Sequence, residues 1–277
     1  MRIRIVGRGR MGAALAAALV AAGADVAAPA GRGWDWPSEG APPDAILLAV
    51  PDAAIADAAA RLTPGPFVGH CSGITTLAPL APHAAFSLHP LLSVTEGGGV
   101  TGGHSVTEGV GAGVFAGAHA AVDGASPEAL AVAERLAALL GLTTFRVEDR
   151  DRAAYHAAAS VSANFLVVLE DLAERLAASA GVPRAALLPL AGAALRNWAG
   201  AGGSRALTGP IARGDEGTVA RQLTAVRERL PEDASLVDAL VAATRRLAAR
   251  RDPGPNDPER ADPAAGTTGS RPPEEQP

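Results

Sequence analysis

Ile3-Arg4-Ile5-Val6-Gly7-Arg8-Gly9-Arg10-Met11-Gly12 is the stretch on which the reading of this 277-residue chain turns. A short apolar run stops at Gly7, and glycines follow in the spacing G-x-G-x-x-G. An unbroken helix-forming stretch then runs from Met11 to Ala22, where Gly23 ends it. Strand, tight turn and helix in that order give the spacing its meaning. The first glycine permits the turn, the second lets the backbone approach a pyrophosphate, and the third lets helix and strand pack closely. The start of such a helix offers unpaired N–H groups and the positive end of its dipole to phosphate. The stretch predicts a dinucleotide-binding domain with Gly7, Gly9, Arg10, Met11 and Gly12 at the cofactor.

Outward from this turn, apolar runs recur at Asp25 to Ala28, Ala45 to Val50, Phe67 to His70 and Ala84 to Leu88, with a helical piece at Ala53 to Leu62. Strand alternating with helix predicts an α/β fold with a mainly parallel sheet, of Rossmann type. Ligands of such sheets lie beyond the carboxyl ends of the strands, which selects Val50-Pro51-Asp52 and Ser72-Gly73 as cofactor-lining loops. NAD-preferring domains carry an acidic residue about 20 positions after the glycine turn, on the ribose 2′-hydroxyl. Here the corresponding stretch is Ala28-Pro29-Ala30-Gly31-Arg32, and Arg32 suits a 2′-phosphate, so NADP(H) is expected ahead of NAD(H). Arg8 and Arg10 stand ready to assist.

Further along, Gly97 to Gly113 is dense in glycine and reads as a mobile loop. A strand is expected within Val114 to Val122, a helix capped by Ser126 from Pro127 to Leu140, and a last strand at Thr143 to Val147. These close a cofactor domain over residues 1–150. Ala153 to Ala180 has no helix breaker and opens an all-α domain over residues 151–250. Its further helices are expected from Pro183 to about Trp198, from Glu216 to Arg229 with Asp215 as cap, and from Leu236 to Arg250 with Ser235 as cap. Residues 251–277 are rich in Pro, Gly and charge and read as a disordered tail.

The formal charge of -5 and a pI near 5.7 give no general attraction to nucleic acid or anionic membranes, which leaves a small molecule as the expected partner. Cys71 is the single cysteine, so no internal disulfide forms and the cytoplasm is the expected compartment. The start lacks the apolar core of a signal peptide, and Ala13 to Ala22 is shorter than a membrane span. His70, Cys71, His83 and His89 fit no common zinc spacing, so no metal is expected. All 24 basic residues are arginine.

The run Ile46 to Asp52, His70-Cys71-Ser72-Gly73, Ser87-Leu88-His89-Pro90, Tyr155-His156 and Leu207-Thr208-Gly209-Pro210-Ile211-Ala212-Arg213-Gly214-Asp215 together resemble one family, the Rossmann-like proteins with a DUF2520 C-terminal domain. The resemblance spans residues 1–230, and the segment from Thr208 to Asp215 is its most distinctive part. Such proteins are similar to the superfamily of 6-phosphogluconate dehydrogenase, pyrroline-5-carboxylate reductase and ketopantoate reductase. The resemblance implies a helical domain of the 6-phosphogluconate dehydrogenase C-terminal type, a homodimer, and reduction of a 2-keto acid in the manner of a ketopantoate reductase. Reduction of an imine, or NADP binding without turnover in a sensor or interaction protein, are the alternatives.

His156, Ser160 and Asn164 are spaced i, i+4 and i+8 on the expected helix and form a polar stripe. In the ketopantoate reductases and hydroxyacid dehydrogenases of this superfamily, that helix carries a lysine with an asparagine four residues later. If Asn164 matches the asparagine, Ser160 stands where the lysine belongs, and a serine of ordinary pKa cannot act as a cationic proton donor. His156, one turn earlier, has a side chain suited to that work at neutral pH. His89, before Pro90 at the end of a predicted strand, is the second candidate proton donor. Thr208, Arg213 and Asp215 are the implied substrate contacts, Arg213 through a substrate carboxylate.

Overall fold

The computed structural model describes residues 1–31, 34, 42–94, 100–101 and 113–250. Arg32, nearly all of the glycine-dense stretch and the tail from Asp252 lie outside the described residues. The chain divides into two compact units, Met1–Leu166 and Val167–Pro277.

The first unit is built on β1 (Arg2–Val6), α1 (Arg10–Ala21), β2 (Asp25–Ala30), β3 (Ala45–Leu48), α2 (Ile55–Ala60), β4 (Phe67–His70) and β5 (Ala84–Leu91). A two-stranded ribbon of β6 (Ser93–Val94) and β7 (Val100–Thr101) follows, then β8 (His119–Gly124), α3 (Pro127–Leu139), β9 (Thr143–Arg146) and α4 (Arg152–Ser160). Seven strands form one sheet in the order β2-β1-β3-β4-β5-β8-β9, with every pair parallel except β5 and β8. This is the expected Rossmann-type architecture. The chain reverses its direction of travel across the sheet between β1 and β3, and a crevice opens at such a switch point beyond the strand ends.

Alternation along the strands produces two apolar layers. Ile3, Ile5, Ala45, Leu47, Phe86 and Leu88 pack with Leu15 and Leu19 of α1 and with Ala133 and Leu136 of α3. Val6, Ile46, Leu48, Val68 and Ala85 pack on the opposite face with Ile55, Ala58 and Ala59 of α2. β3 is buried on both faces, which is why Ala45 to Leu48 reads as a continuous apolar run. Each fully buried Leu or Ile here contributes roughly 1.5–3 kcal/mol.

Several boundaries differ from expectation for identifiable reasons. β5 runs on to Leu91, so His89 lies within a strand. β4 ends with His70 opposite Ser87, and beyond that point β5 keeps only β8 as a strand neighbour, His89 facing Ala121 and Pro90 facing Ala120. A proline is tolerated in such a stretch because no ladder on the β4 side needs its N–H. The strand expected from Val114 begins only at His119, because Gly117 turns the chain at φ +80 while Phe115 is buried in the core. Ser126 caps α3 as expected, accepting from Ala129 N–H.

The long helix expected from Ala153 is interrupted. Its α-helical part α4 gives way to a π turn over Val161–Phe165 before α5 (Leu166–Ala178) resumes. The second unit continues with α6 (Arg184–Ala201), α7 (Gly203–Ala206), α8 (Glu216–Arg229) and α9 (Ala234–Ala248). Ser235 is not the cap of α9, since Pro231 opens a 3-10 turn that feeds the helix two residues earlier, with Asp233 at the N-cap. Within this unit Arg175 of α5 bonds Asp171, Glu232 and Asp233, tying α5 to the turn before α9. Among the described residues, no helix is long and apolar enough to cross a membrane.

Candidate functional site

The glycine turn occupies the carboxyl end of β1, and its three glycines answer to different constraints. Gly7 has φ +127, and a Cβ there would stand 2.1 Å from the Ala49 carbonyl oxygen. A Cβ on Gly12 would stand 2.1 Å from the Gly7 carbonyl oxygen. Both positions are closed by the protein's own backbone, which is the close packing of helix, turn and neighbouring strand. Gly9 is different: it precedes α1 in extended backbone, and a Cβ on it would meet no atom within 4 Å. Packing among the described residues does not explain this glycine. No side chain caps α1, and no acidic residue lies in its first turn, so its start suits an anion.

Arg10 is exposed at the first position of α1, whereas Met11 is half-buried against the core. Arg8 Nε donates to the Pro29 carbonyl at 3.2 Å, which brings a guanidinium to the end of β2 where a 2′-phosphate is read. Val50 packs against the α2 layer, Pro51 and Asp52 are exposed, and Asp52 begins a short 3-10 turn. The residues predicted to hold a dinucleotide therefore share the carboxyl edge of the sheet, Arg32 being outside the described residues.

A second cluster lies along the same edge, at the ends of β4 and β5. His70 is fully buried, its Nε2–H donating to the Thr76 carbonyl and its Nδ1 accepting from Ser72 N–H. Burial lowers its pKa, so it is a neutral strut beneath the loop. The Ser72 hydroxyl donates to Thr75 Oγ1 and accepts from Thr75 N–H, so it is engaged in shaping the turn. Cys71 is held between them, and burial pushes its thiol up to about 12, which leaves it inert. Gly73 follows, and a Cβ there would stand 2.8 Å from both His89 Cε1 and His156 Cδ2. Only a glycine lets two imidazoles close on the backbone at this point.

His89 and His156 face each other with ring centroids 6.3 Å apart. Two registered contacts between α4 and β5 hold them. Ser87 and His89 lie on one face of the strand, while Arg152, Tyr155 and His156 at i, i+3 and i+4 share one side of the helix. Arg152 is 2% exposed and donates through Nη2 to Ser87 Oγ at 2.7 Å and through Nε to Asp149 at 2.9 Å. Its Nη2 also stands 3.6 Å from Asp123, a carboxylate that receives Arg146 at 2.9 Å. One turn on, the Tyr155 hydroxyl meets His89 Nδ1 at 2.6 Å, with the two rings edge to face and Phe145 against the far side of Tyr155.

Burial and the neighbouring His156 bring the pKa of His89 down to about 4, against a smaller upward pull from Asp52, so His89 is neutral at neutral pH. Burial raises Tyr155 to about 12. Among the described residues the one fully buried side-chain nitrogen or oxygen without a partner is His83 Nδ1. His89 Nε2 and both ring nitrogens of His156 make no hydrogen bond among these residues, and both side chains are half-buried.

Ser160 is half-buried at the end of α4, and Asn164 is exposed in the π turn. On a regular helix each i+4 step overshoots a full turn by about 40°. The wider π turn removes that overshoot and brings Asn164 back toward the side of His156. Thr208, Arg213 and Asp215 lie in the second unit, around a 3-10 turn at Ile211–Arg213. Thr208 and Arg213 are exposed, and the Asp215 carboxylate accepts from Thr218 N–H as the cap of α8. Sequence reasoning missed Arg152, Ser87 and Asp123 and left Tyr155 without a role. The signal was present in two periodicities, Ser87 with His89 at strand spacing and Arg152 with Tyr155 and His156 at helix spacing.

Residues 118–244 match the family described as Domain of unknown function (DUF2520). The fold is shared with solved structures. Protein TM1727 from Thermotoga maritima is 21% identical with a TM-score of 0.68, the match covering 89% of this chain and 98% of that one. A reductive aminase from Aspergillus terreus, solved in complex with NADPH and ethyl levulinate, is 17% identical with a TM-score of 0.60, covering 90% and 97%. The 1-pyrroline-5-carboxylate reductase from Streptococcus pyogenes is 15% identical with a TM-score of 0.55, covering 89% and 98%. No curated protein matches the chain. Residues 118–244 thus resemble a DUF2520 domain, and the chain shares a Rossmann-type fold with these solved structures.

Proposed function

We propose that this protein is an NADP-dependent reductase of a small carbonyl compound. The observation that carries the reading is the joint placement, along one sheet edge, of a glycine turn whose Gly9 faces open space and two histidines with unpartnered ring nitrogens. NADPH supplies a hydride when bound. Gly7 to Gly12 hold the pyrophosphate against the start of α1, and Arg8, with Arg32, favours a 2′-phosphate at the end of β2. The histidine pair supplies the proton that a reduced carbonyl needs, a task for which the chain has no lysine.

A 2-keto acid of the ketopantoate kind leads as substrate, following the family resemblance, which also implies Thr208, Arg213 and Asp215 as its contacts. Imine reduction is the second reading, favoured by the likeness to the pyrroline-5-carboxylate reductase and the reductive aminase. The test mixes purified protein with NADPH and panels of 2-keto acids and cyclic imines and follows the nicotinamide absorbance. Oxidation by one panel and not the other names the class. Absence of turnover with both, in protein that binds NADPH, sinks the reductase reading in favour of a cofactor-binding sensor. Rescue of a ketopantoate-reductase-deficient strain tests the leading substrate directly.

The active form we infer is a homodimer. α6 is apolar around its circumference yet none of its residues is buried, with Leu188, Leu190 and Trp198 at 73%, 70% and 60% exposure. A helix hydrophobic on every side is ordinarily enclosed, and a second copy of this chain is the occupant that an oligomeric reductase supplies. Sedimentation of the purified protein tests this, and a monomer at micromolar concentration refutes it.

A further inference from the structure

We propose that Tyr155 and His89 form a two-residue proton relay, in which Tyr155 fixes His89 as the Nε2–H tautomer and replaces the proton that His89 gives to the substrate. The inference rests on the reductase reading and adds the route of the proton. Its basis is geometric. A neutral imidazole carries one N–H, and the 2.6 Å contact places the Tyr155 hydroxyl on Nδ1, so a donating hydroxyl leaves the ring proton on Nε2. Nε2 is the nitrogen that meets no protein partner among the described residues.

The surroundings fix this arrangement from three sides. Phe145 packs edge to face on Tyr155, Gly73 abuts the His89 ring, and the Arg152 to Ser87 bond pins the helix turn that carries Tyr155 to the strand that carries His89. A neutral histidine alone is a poor proton donor, since loss of its N–H leaves an imidazolate. With Tyr155 behind it the balance changes. As hydride reaches the carbonyl carbon, the developing alkoxide oxygen takes the Nε2 proton. Nδ1 takes the proton from the Tyr155 oxygen, and the imidazole ends neutral with its tautomer reversed. The charge passes to a tyrosinate, which water reprotonates; a tyrosine near pKa 12 is still a far stronger acid than an alcohol. Tyr155 therefore acts through His89 and is a positioning and relay residue.

The experiment uses the full chain labelled with 15N-histidine and needs no turnover for its first arm. Side-chain nitrogen spectra at neutral pH are expected to show His89 as the Nε2–H tautomer in the wild type and as a tautomer mixture in Tyr155→Phe. Because Tyr155 is the one tyrosine in the chain, the near-ultraviolet tyrosinate band titrates this residue alone. Its midpoint should fall near 12, and should move in His89→Phe. In the second arm, Tyr155→Phe should lower kcat for whichever panel substrate the wild type reduces by on the order of 10²-fold, with the Kd for NADPH unchanged. An Nδ1–H tautomer in the wild type, or a Tyr155→Phe protein with wild-type kcat, overturns the relay. Absence of turnover in the wild type counts against the reductase reading instead, while the nitrogen spectra still decide whether the pair is built as proposed.

Discussion

Replacing Gly9 and Gly12 separately by alanine distinguishes a glycine kept for ligand from a glycine kept for packing. At Gly12 the added methyl would lie 2.1 Å from the Gly7 carbonyl oxygen and 3.4 Å from Ala49 Cβ, and the nearer atom is backbone that cannot rotate aside. Overpacking of this kind costs about 1–3 kcal/mol. In a unit of this size that is a fall in Tm of about 3–10 °C. At Gly9 the methyl meets nothing within 4 Å, and φ -73 with ψ -179 is extended backbone open to alanine. Alanine is a poorer helix N-cap than glycine by roughly 0.5–1 kcal/mol, but it removes about 0.4–1 kcal/mol of unfolded-state entropy. The two nearly cancel, so Gly9→Ala should melt within about 2 °C of wild type. Its cost appears on cofactor: a methyl at the closest approach of the pyrophosphate weakens NADPH by about 1.4–2.8 kcal/mol, a ten- to hundredfold rise in Kd. Thermal melts without cofactor and a fluorescence titration with NADPH measure both quantities. A Gly9→Ala protein that melts as low as Gly12→Ala, or that binds NADPH like wild type, refutes the reasoning.

Three further outcomes follow from the geometry. Arg152→Met keeps the apolar stem but strips Ser87 and Asp149 of their guanidinium partner and leaves Asp123 with Arg146 alone, and should cost about 2–3 kcal/mol in urea denaturation; a change under about 0.5 kcal/mol would show that the network is idle. His89 binds its proton near 4 in the folded chain and near 6.5 in the unfolded one, so the unfolded state holds more protons between those values. Stability therefore falls as pH drops from 6.5 to 4, by on the order of 3 kcal/mol, with buried His70 acting in the same direction; His89→Gln should flatten that part of the profile, and an unchanged slope would contradict the burial argument. Finally, Leu188→Asp combined with Leu190→Asp should yield a folded monomer by sedimentation and circular dichroism, since both side chains are already exposed within one chain; persistence of the dimer would place its interface elsewhere.

The first unit was legible because its signals are local. Gly7 to Gly12, the apolar run at Ala45 to Leu48 and the Ser126-Pro127 helix start each carry their structure within a few residues, and the sheet assembles from them by known rules of connection. Single-residue events were less legible. The π turn at Val161–Phe165 contains no glycine or proline to mark it, and the extension of β5 through His89 and Pro90 depends on β4 having ended one strand away. Of the candidate site, His89 and His156 were visible as titratable residues, but their meeting across 67 residues of sequence follows from helix-on-strand packing. Arg152 was hidden among 24 basic residues that are all arginine, because burial, and not identity, distinguishes it.

The overhang of β5 past the end of β4 bears on how the chain avoids aggregation. An extended segment with a vacant flank invites zippering by any free strand, whether from a neighbouring molecule or from the chain itself during folding. Here that flank is spoiled as a template: Pro90, itself buried, withholds an amide hydrogen, and the turn from Cys71 to Thr76 follows β4 with Gly73 tucked against His89. The same interruption thus guards this end of the sheet against aggregation, so lengthening β4 or restoring a donor at position 90 would favour adhesion.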